Sequence, residues 1–352
     1  MPAVNAHTHL YSGLAPLGMP APEHPPETFL QILQRVWWRL DRALDEDSLA
    51  ASARFYVASA LLHGTTGLID HHESPEFIEG SLDVIADAGQ DLGMPAVLCY
   101  GATERNGGKD EARRGLAECR RFIESNHRSL VRGVIGLHAS FTVGDATMEA
   151  AGEMARDLGT VVHVHLAEDL ADLHHANGLG HDHPLQRLLA SNALPEGSIL
   201  AHGVHMREEE IAVCNDAGLW LVNNPRSNEG NGVGWPGLLG LAQRVALGTD
   251  GWESCMADEV AAGRRLEIER DEIHDVAGSN VFAQRLERGA DLLAERFGTE
   301  GAPKSDSSAG KLVIAGRTLV EDGRLVSGDM DAIAAQAETQ AAGLWQRMAA
   351  IP

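Results

Sequence analysis

Eight short apolar runs, each followed by a stretch with helical spacing, constrain this chain more than any other feature of its sequence. Read as β-branched segments bounded by Gly, Pro, Asn or Asp, they fall at 3–9, 65–72, 95–103, 132–141, 160–168, 199–206, 219–228 and 244–252. Segments rich in Ala, Leu, Arg and Glu lie between most of them, as at 47–62, 76–89, 109–126 and 147–158. Strand and helix alternating eight times read as a parallel (β/α)8 TIM barrel, an α/β fold. Strands buried on both faces should be apolar until their last residues, and Ile199-Leu200-Ala201 before His202 has that form. So does Val245-Ala246-Leu247-Gly248-Thr249 before Asp250.

In such a barrel the functional residues collect at the C-terminal ends of the strands. Of the 17 histidines, His7, His9, His71, His72, His138, His163, His165, His202 and His205 fall inside the eight runs, mostly late in them. His7 and His9 are two residues apart, so a strand turns both imidazoles to one face. His163 and His165 also share a face, but His163 lies one layer deeper and is read as packing, while His165 can supply a third nitrogen. Glu168 follows in the loop, where it can reach over a metal without binding it and carry a proton. His202 ends the sixth run and Asp250 the eighth. Three imidazoles and a carboxylate, with His202 close by, suit one divalent ion, Zn or Fe, that keeps a water. Such an ion lowers the pKa of its water from about 15.7 towards roughly 7, which makes hydroxide available at neutral pH. Ligands drawn from four strands at the catalytic face argue against a purely structural metal.

Composition narrows the partners. With 28 Lys and Arg against 51 Asp and Glu, the net charge is −23, and no local basic patch interrupts it. Nucleic acid and anionic membrane are therefore not expected as partners, and a small-molecule substrate is. The four cysteines are widely spaced, no apolar run approaches 18 residues and no basic segment precedes an apolar one, so a cytoplasmic location is expected. The only lysines are Lys109, Lys304 and Lys311, none at a strand end. That excludes a phosphate-binding P-loop and argues against a Schiff-base lysine or a carboxylated lysine bridging two metals.

Residues 11–45 make a long, Pro-rich connection after the first strand and read as a lid, with Trp37 and Trp38 packing its helix onto the barrel. The barrel domain is expected over 1–300, with helices at 253–300. Residues 301–352 then hold the end of a Gly, Pro and Ser-rich linker (299–310), a short hairpin around 312–326 and a final helix at 330–349, the remnant of a small β-sandwich.

His7-Thr8-His9, His165-x-x-Glu168, His202 and Gly248-Thr249-Asp250-Gly251, in this order, resemble the amidohydrolase superfamily. The similarity is greatest to its mononuclear deaminase and chlorohydrolase branch. Within that branch, Asn5-Ala6-His7-Thr8-His9-Leu10-Tyr11, Asp70-His71-His72-Glu73-Ser74-Pro75 and Asn224-Pro225-Arg226-Ser227-Asn228 look most like the SsnA-type aminohydrolases. The resemblance implies that His7, His9, His165 and Asp250 bind the metal and that Glu168 protonates a ring nitrogen. It implies that His202 orients the hydroxide or polarises the substrate, and that Asp250 also moves the water's proton to the leaving amine. His138 and Arg226 are expected to face substrate, together with His72, although adjacency allows only one of His71 and His72 to point inward. The activity implied is a metal-dependent aminohydrolase whose metal-bound hydroxide attacks an sp2 carbon of a nitrogen heterocycle and releases ammonia. Hydrolytic dehalogenation on the same scaffold and a truncated, inactive metal-binding barrel are the alternatives.

The sequence departs from the family in two respects. Asn223 stands where many relatives have histidine, and Met1 lies only a few residues before the first strand, where relatives carry some fifty more residues. A truncated reading frame is the resulting expectation. Leu312, Val313, Ile314, Leu319, Val320, Leu325 and Val326 would then be partly exposed along an edge that invites homo-oligomers.

Overall fold

The computed structural model describes residues 3–270, 280–298, 303–308 and 310–351. Its larger sheet is a parallel barrel of eight strand positions: β1 Val4–Thr8, β2 Gly67–His72, β3 Ala96–Ala102, β4 Val131–Gly133 with β5 Ile135–Ala139, β6 Val162–Leu166, β7 Ile199–His202, β8 Trp220–Asn223 and β9 Val245–Leu247. β4 and β5 both pair with β3, so they are one barrel strand interrupted at Val134. Every residue of β1, β2, β3 and β6 is buried, as expected of strands covered on both faces.

Closure falls between the first and last strands, where Thr8 bridges Asp250 in parallel. Asn5 reinforces that seam. Its amide donates to Thr249 Oγ1 at 2.7 Å and its carbonyl accepts from Thr249 N at 3.0 Å. The seam thus carries the ends of both strands that hold His7, His9 and Asp250.

Helices such as Glu46–Leu62, Ser81–Leu92, Lys109–Ser125 and Asp145–Asp157 pack outside the barrel. Glu46–Leu62 begins with a reciprocal cap, Ser48 N donating to Asp45 Oδ1 and Asp45 N donating to Ser48 Oγ. The helical reading of 253–300 resolves into Met256–Glu269 and Val281–Phe297, and its part at 271–279 lies outside the described residues. No described helix is long and apolar enough to cross a membrane.

The C-terminal region is larger than a hairpin. Antiparallel strands β10 Ser305–Ser308, β11 Lys311–Ile314, β12 Arg317–Glu321 and β13 Arg324–Leu325 form a second sheet, followed by the helix Met330–Ala350. A third of the segment read as linker is therefore strand β10, while 299–302 and 309 lie outside the described residues. The expected exposure is also corrected. Leu312, Ile314, Leu319 and Val320 are buried in the main apolar core, because the sheet and the last helix both pack on Glu46–Leu62. Only Val326 is exposed, with Val313 and Leu325 between. Leu319→Ala should accordingly cost about 2–5 kcal/mol in chemical denaturation. A loss under about 0.5 kcal/mol, the size of an ordinary surface change, would mean the sheet is not part of the core.

The lid (11–45) is strapped to that last helix. Arg39 donates to the Met348 carbonyl at 3.2 Å, Arg347 to the Ala43 carbonyl at 2.8 Å, and the Trp345 indole to the Leu17 carbonyl at 3.0 Å. These bonds hold the lid's helical turns, Phe29–Ile32, Leu33–Trp37 and Trp38–Ala43, over the C-terminal mouth of the barrel.

Candidate active site

Four imidazoles meet at the seam with their Nδ1 atoms already engaged. His7 Nδ1 faces His163 Nε2 at 2.9 Å, His9 Nδ1 donates to the His71 carbonyl at 2.5 Å, and His165 Nδ1 donates to the His138 carbonyl at 2.6 Å. His202 Nδ1 donates to Asn228 Oδ1 at 2.9 Å. These contacts turn four Nε2 atoms inward, where a deprotonated Nε2 can serve as a metal ligand. His163 therefore has a role beyond packing: it sits one layer below His7, as its sequence position implies, and holds the orientation of the His7 ring.

The inward atoms converge. Asp250 Oδ1 lies 3.3 Å from His7 Nε2 and 2.8 Å from His9 Nε2, while His9 Nε2 and His165 Nε2 are 3.3 Å apart. Ligand atoms of His7, His165, His202 and Asp250 all lie within 4.8 Å of one another. Two imidazole nitrogens in contact, beside a His202 Nε2 that is buried with no hydrogen-bond partner, are what a shared cation would satisfy. The donor set of imidazole nitrogens and one carboxylate fits Zn²⁺ or Fe²⁺.

Electrostatics agree with a positive charge at this point. Burial lowers His7 to about 3 and pulls His165 well below its ordinary value. Burial opposes ionisation of Asp250 too, yet hydrogen bonds from His7 and His9 hold its carboxyl well below the usual range. The same carboxylate, against burial, raises His9 to about 10.

The loop ends carrying these groups are strained. Ala167, His202 and Asp250 have φ of 48°, 75° and 54°, the left-handed region that non-glycine residues avoid at a cost of about 1–3 kcal/mol each. Asp250 is held there from both sides, its N–H donating to the His7 carbonyl at 3.0 Å and its Oδ2 accepting from Ser227 Oγ at 2.5 Å. The left-handed turn after Leu166 brings Glu168 back over the site, its Oε2 3.6 Å from His202 Nε2 and its Oε1 accepting from Asn231 at 3.3 Å. Burial, and then the charge of Asp250, push the Glu168 carboxyl well above its ordinary value, which favours its protonated form.

Around this centre is a narrow cleft of about 620 Å³ with its open mouth counted, of which about 50 Å³ can centre a water-sized sphere. His138 lines it, as expected, with Nδ1 facing Thr142 Oγ1 at 2.9 Å. Trp37 and Trp38, read as packing, also line it, so the lid forms part of the binding wall. The expectation for His72 is corrected. His71 is the member of the pair that joins the inner cluster, 4.5 Å from the His165 ring, but it is pinned by Glu73 and the Leu137 carbonyl. His72 turns to the opposite face of its strand, where Nε2 meets Ser74 Oγ at 2.7 Å.

Arg226 is corrected as well. Its backbone N–H donates to Glu259 Oε1 at 2.9 Å, its Nε contacts Oε2 of the same fully buried carboxylate, and it does not line the cleft. Removing one partner of a buried pair strands the other charge. Arg226→Ala should thus lower unfolding free energy by about 3–5 kcal/mol, with substrate KM unchanged in the folded fraction; a raised KM at unaltered stability would return Arg226 to the substrate. Asn223 is buried with neither amide atom bonded.

A barrel whose strand ends gather four imidazoles, a carboxylate and a protonated glutamic acid is that of a metal-dependent hydrolase. The chain belongs to the amidohydrolase family, whose model matches residues 3–304, and is a hydrolase acting on carbon–nitrogen bonds other than peptide bonds. It is 26% identical to 5-methylthioadenosine/S-adenosylhomocysteine deaminase 2 of Archaeoglobus fulgidus, over 96% of this chain and 85% of that protein. It is 29% identical to 8-oxoguanine deaminase of Pseudomonas aeruginosa, over 82% of this chain and 65% of that enzyme. Among solved structures it is similar to an adenosine deaminase from Xanthomonas campestris with bound zinc (TM-score 0.81, 21% identity, 99% and 85% of the two chains). It is also similar to the zinc complex of atrazine chlorohydrolase from Arthrobacter aurescens (TM-score 0.75, 22% identity, 96% and 87%).

Proposed function

We propose that this protein is a mononuclear aminohydrolase that removes an exocyclic amine from a nitrogen heterocycle and releases ammonia. The observation that carries the reading is the convergence of the inward Nε2 atoms and Asp250 beside a carboxyl group that keeps its proton. His7, His9, His165 and Asp250 would hold one divalent ion, zinc or iron. Such an ion supplies acidified water at neutral pH.

The chain's own groups account for the proton transfers. Glu168 donates its proton to the ring nitrogen next to the attacked carbon, which draws electrons away from that carbon. His202, whose Nδ1 donates to Asn228, has Nε2 free to accept a hydrogen bond and orients the water. Asp250 takes the proton released from the water and passes it to the departing amine, which leaves as ammonia, and the proton remaining on the attacking oxygen returns to Glu168 to give the neutral carbonyl product. The deaminase names of the relatives support an aminated purine or purine nucleoside as the substrate class. A cytoplasmic setting accords with Cys99, Cys119 and Cys214, buried free thiols.

Likeness to a chlorohydrolase keeps halide displacement as a second reading. Losing chloride needs no proton on the leaving group, so the transfer from Asp250 to the departing group is the step that an amine requires and a halide does not. Aminated purines, pterins and pyrimidines, assayed by coupled ammonia detection beside their chlorinated counterparts, separate the readings. Ammonia supports the aminohydrolase; halide alone replaces it with a dehalogenase, and turnover of neither defeats both.

A further inference from the structure

The cleft has a second polar feature that the reaction does not use. Asp41 lies in the lid helix Trp38–Ala43, lines the cleft and is 1% exposed. Its Oδ2 accepts from Arg105 at 2.8 Å, but its Oδ1 is buried with no hydrogen-bond partner. Arg105 Nε reaches Thr103 Oγ1 at 3.1 Å and its guanidinium stacks 4.8 Å over Trp38, while its Nη1 is itself buried without a partner. One turn earlier, the Trp38 indole N–H is likewise buried without a partner. A buried acceptor and a buried donor on one helix, both unsatisfied, mark a place where a ligand completes the bonding. Among the described residues that line the cleft there is no lysine or arginine, and the one cation beside Asp41 is Arg105, bound to its other oxygen.

We propose that Asp41 is a specificity-determining residue, its Oδ1 accepting an N–H from the edge of a planar nitrogen heterocycle that also presents a ring nitrogen or carbonyl to Trp38. The ring lies in the cleft that the lid and His138 both line, with its other end towards Glu168. This deepens the aminohydrolase reading and rests on it for the orientation of the ring.

The test is calorimetric titration of the full-length, metal-loaded protein with hypoxanthine and its 1-methyl, 7-methyl and 9-methyl derivatives. None carries an amine to hydrolyse, and each methyl removes one N–H. Hypoxanthine should bind the wild type, and at least one methylation should weaken it about tenfold or more. Asp41→Ala should weaken hypoxanthine by a similar factor and erase the difference between it and that derivative. Because Asp41→Ala also removes the partner of Arg105, Asp41→Asn is the second variant. Arg105 keeps its carbonyl oxygen and its amide group turns a donor towards the ligand, so it too should lose affinity for hypoxanthine.

Equal affinity in wild type and both variants, a methyl series without differences, or no binding by the wild type overturns the proposal. Ammonia release reads the aminohydrolase function separately. Release with binding that ignores Asp41 overturns only the role of Asp41. Asp41-dependent binding without release overturns only the aminohydrolase.

Discussion

Glu168→Gln is expected to keep the metal and lose turnover by about two or more orders of magnitude. The glutamine has the same shape and still accepts from Asn231, but it has no proton to give. Glu168 is 3.6 Å from His202 and is kept protonated by burial and by Asp250. The active form is the acid, so the wild-type rate should fall as pH rises through the raised carboxyl pKa, and the variant should lack that limb. Stability follows the same sign. The folded chain holds a proton that the unfolded chain releases above its ordinary value of 4.5, so Glu168's contribution is full below that pH. It is lost as pH rises through the folded value. Elemental analysis and steady-state kinetics on one preparation decide the role: if metal content drops with activity, Glu168 is a ligand and not the proton carrier.

The strand ends were readable because a parallel strand buried on both faces tolerates polar residues only at its mouth. That rule places His7, His9, His165, His202 and Asp250 at the mouth, together with His71, His72 and His138. What it leaves open is phase. His71 and His72 are equally polar and adjacent, and the choice between them follows from pairing His71 with Cys99 and Asp70 with Thr8, a register no local pattern specifies. Arg226 looked like a site residue because its motif lies at a strand end, but its partner Glu259 is 33 positions away on another helix. The lid was recognisable by length and proline. That Trp37, Trp38 and Asp41 face the cleft depends on straps from the last helix, which leave no mark on the lid's own sequence. Ser305–Ser308 shows no apolar alternation at all, since β10 joins its sheet through backbone pairing with Lys311–Ile314.

The second large effect concerns the metal. His7, His9, His165 and Asp250 converge from three strand ends, and removing one imidazole of so compact a set leaves too few donors to retain an ion. His165→Ala should therefore lose most bound metal and with it nearly all turnover. His9 and Asp250 are then left as a close pair across an empty position, 2.8 Å apart. Zinc added back to the variant should restore little activity, whereas zinc or iron returned to chelated wild type should restore most of it. The direct measurement is metal content per chain in the wild type by elemental analysis. One divalent ion, zinc or iron, for each folded chain is the predicted result; two ions, or none in a folded and active sample, would contradict the site.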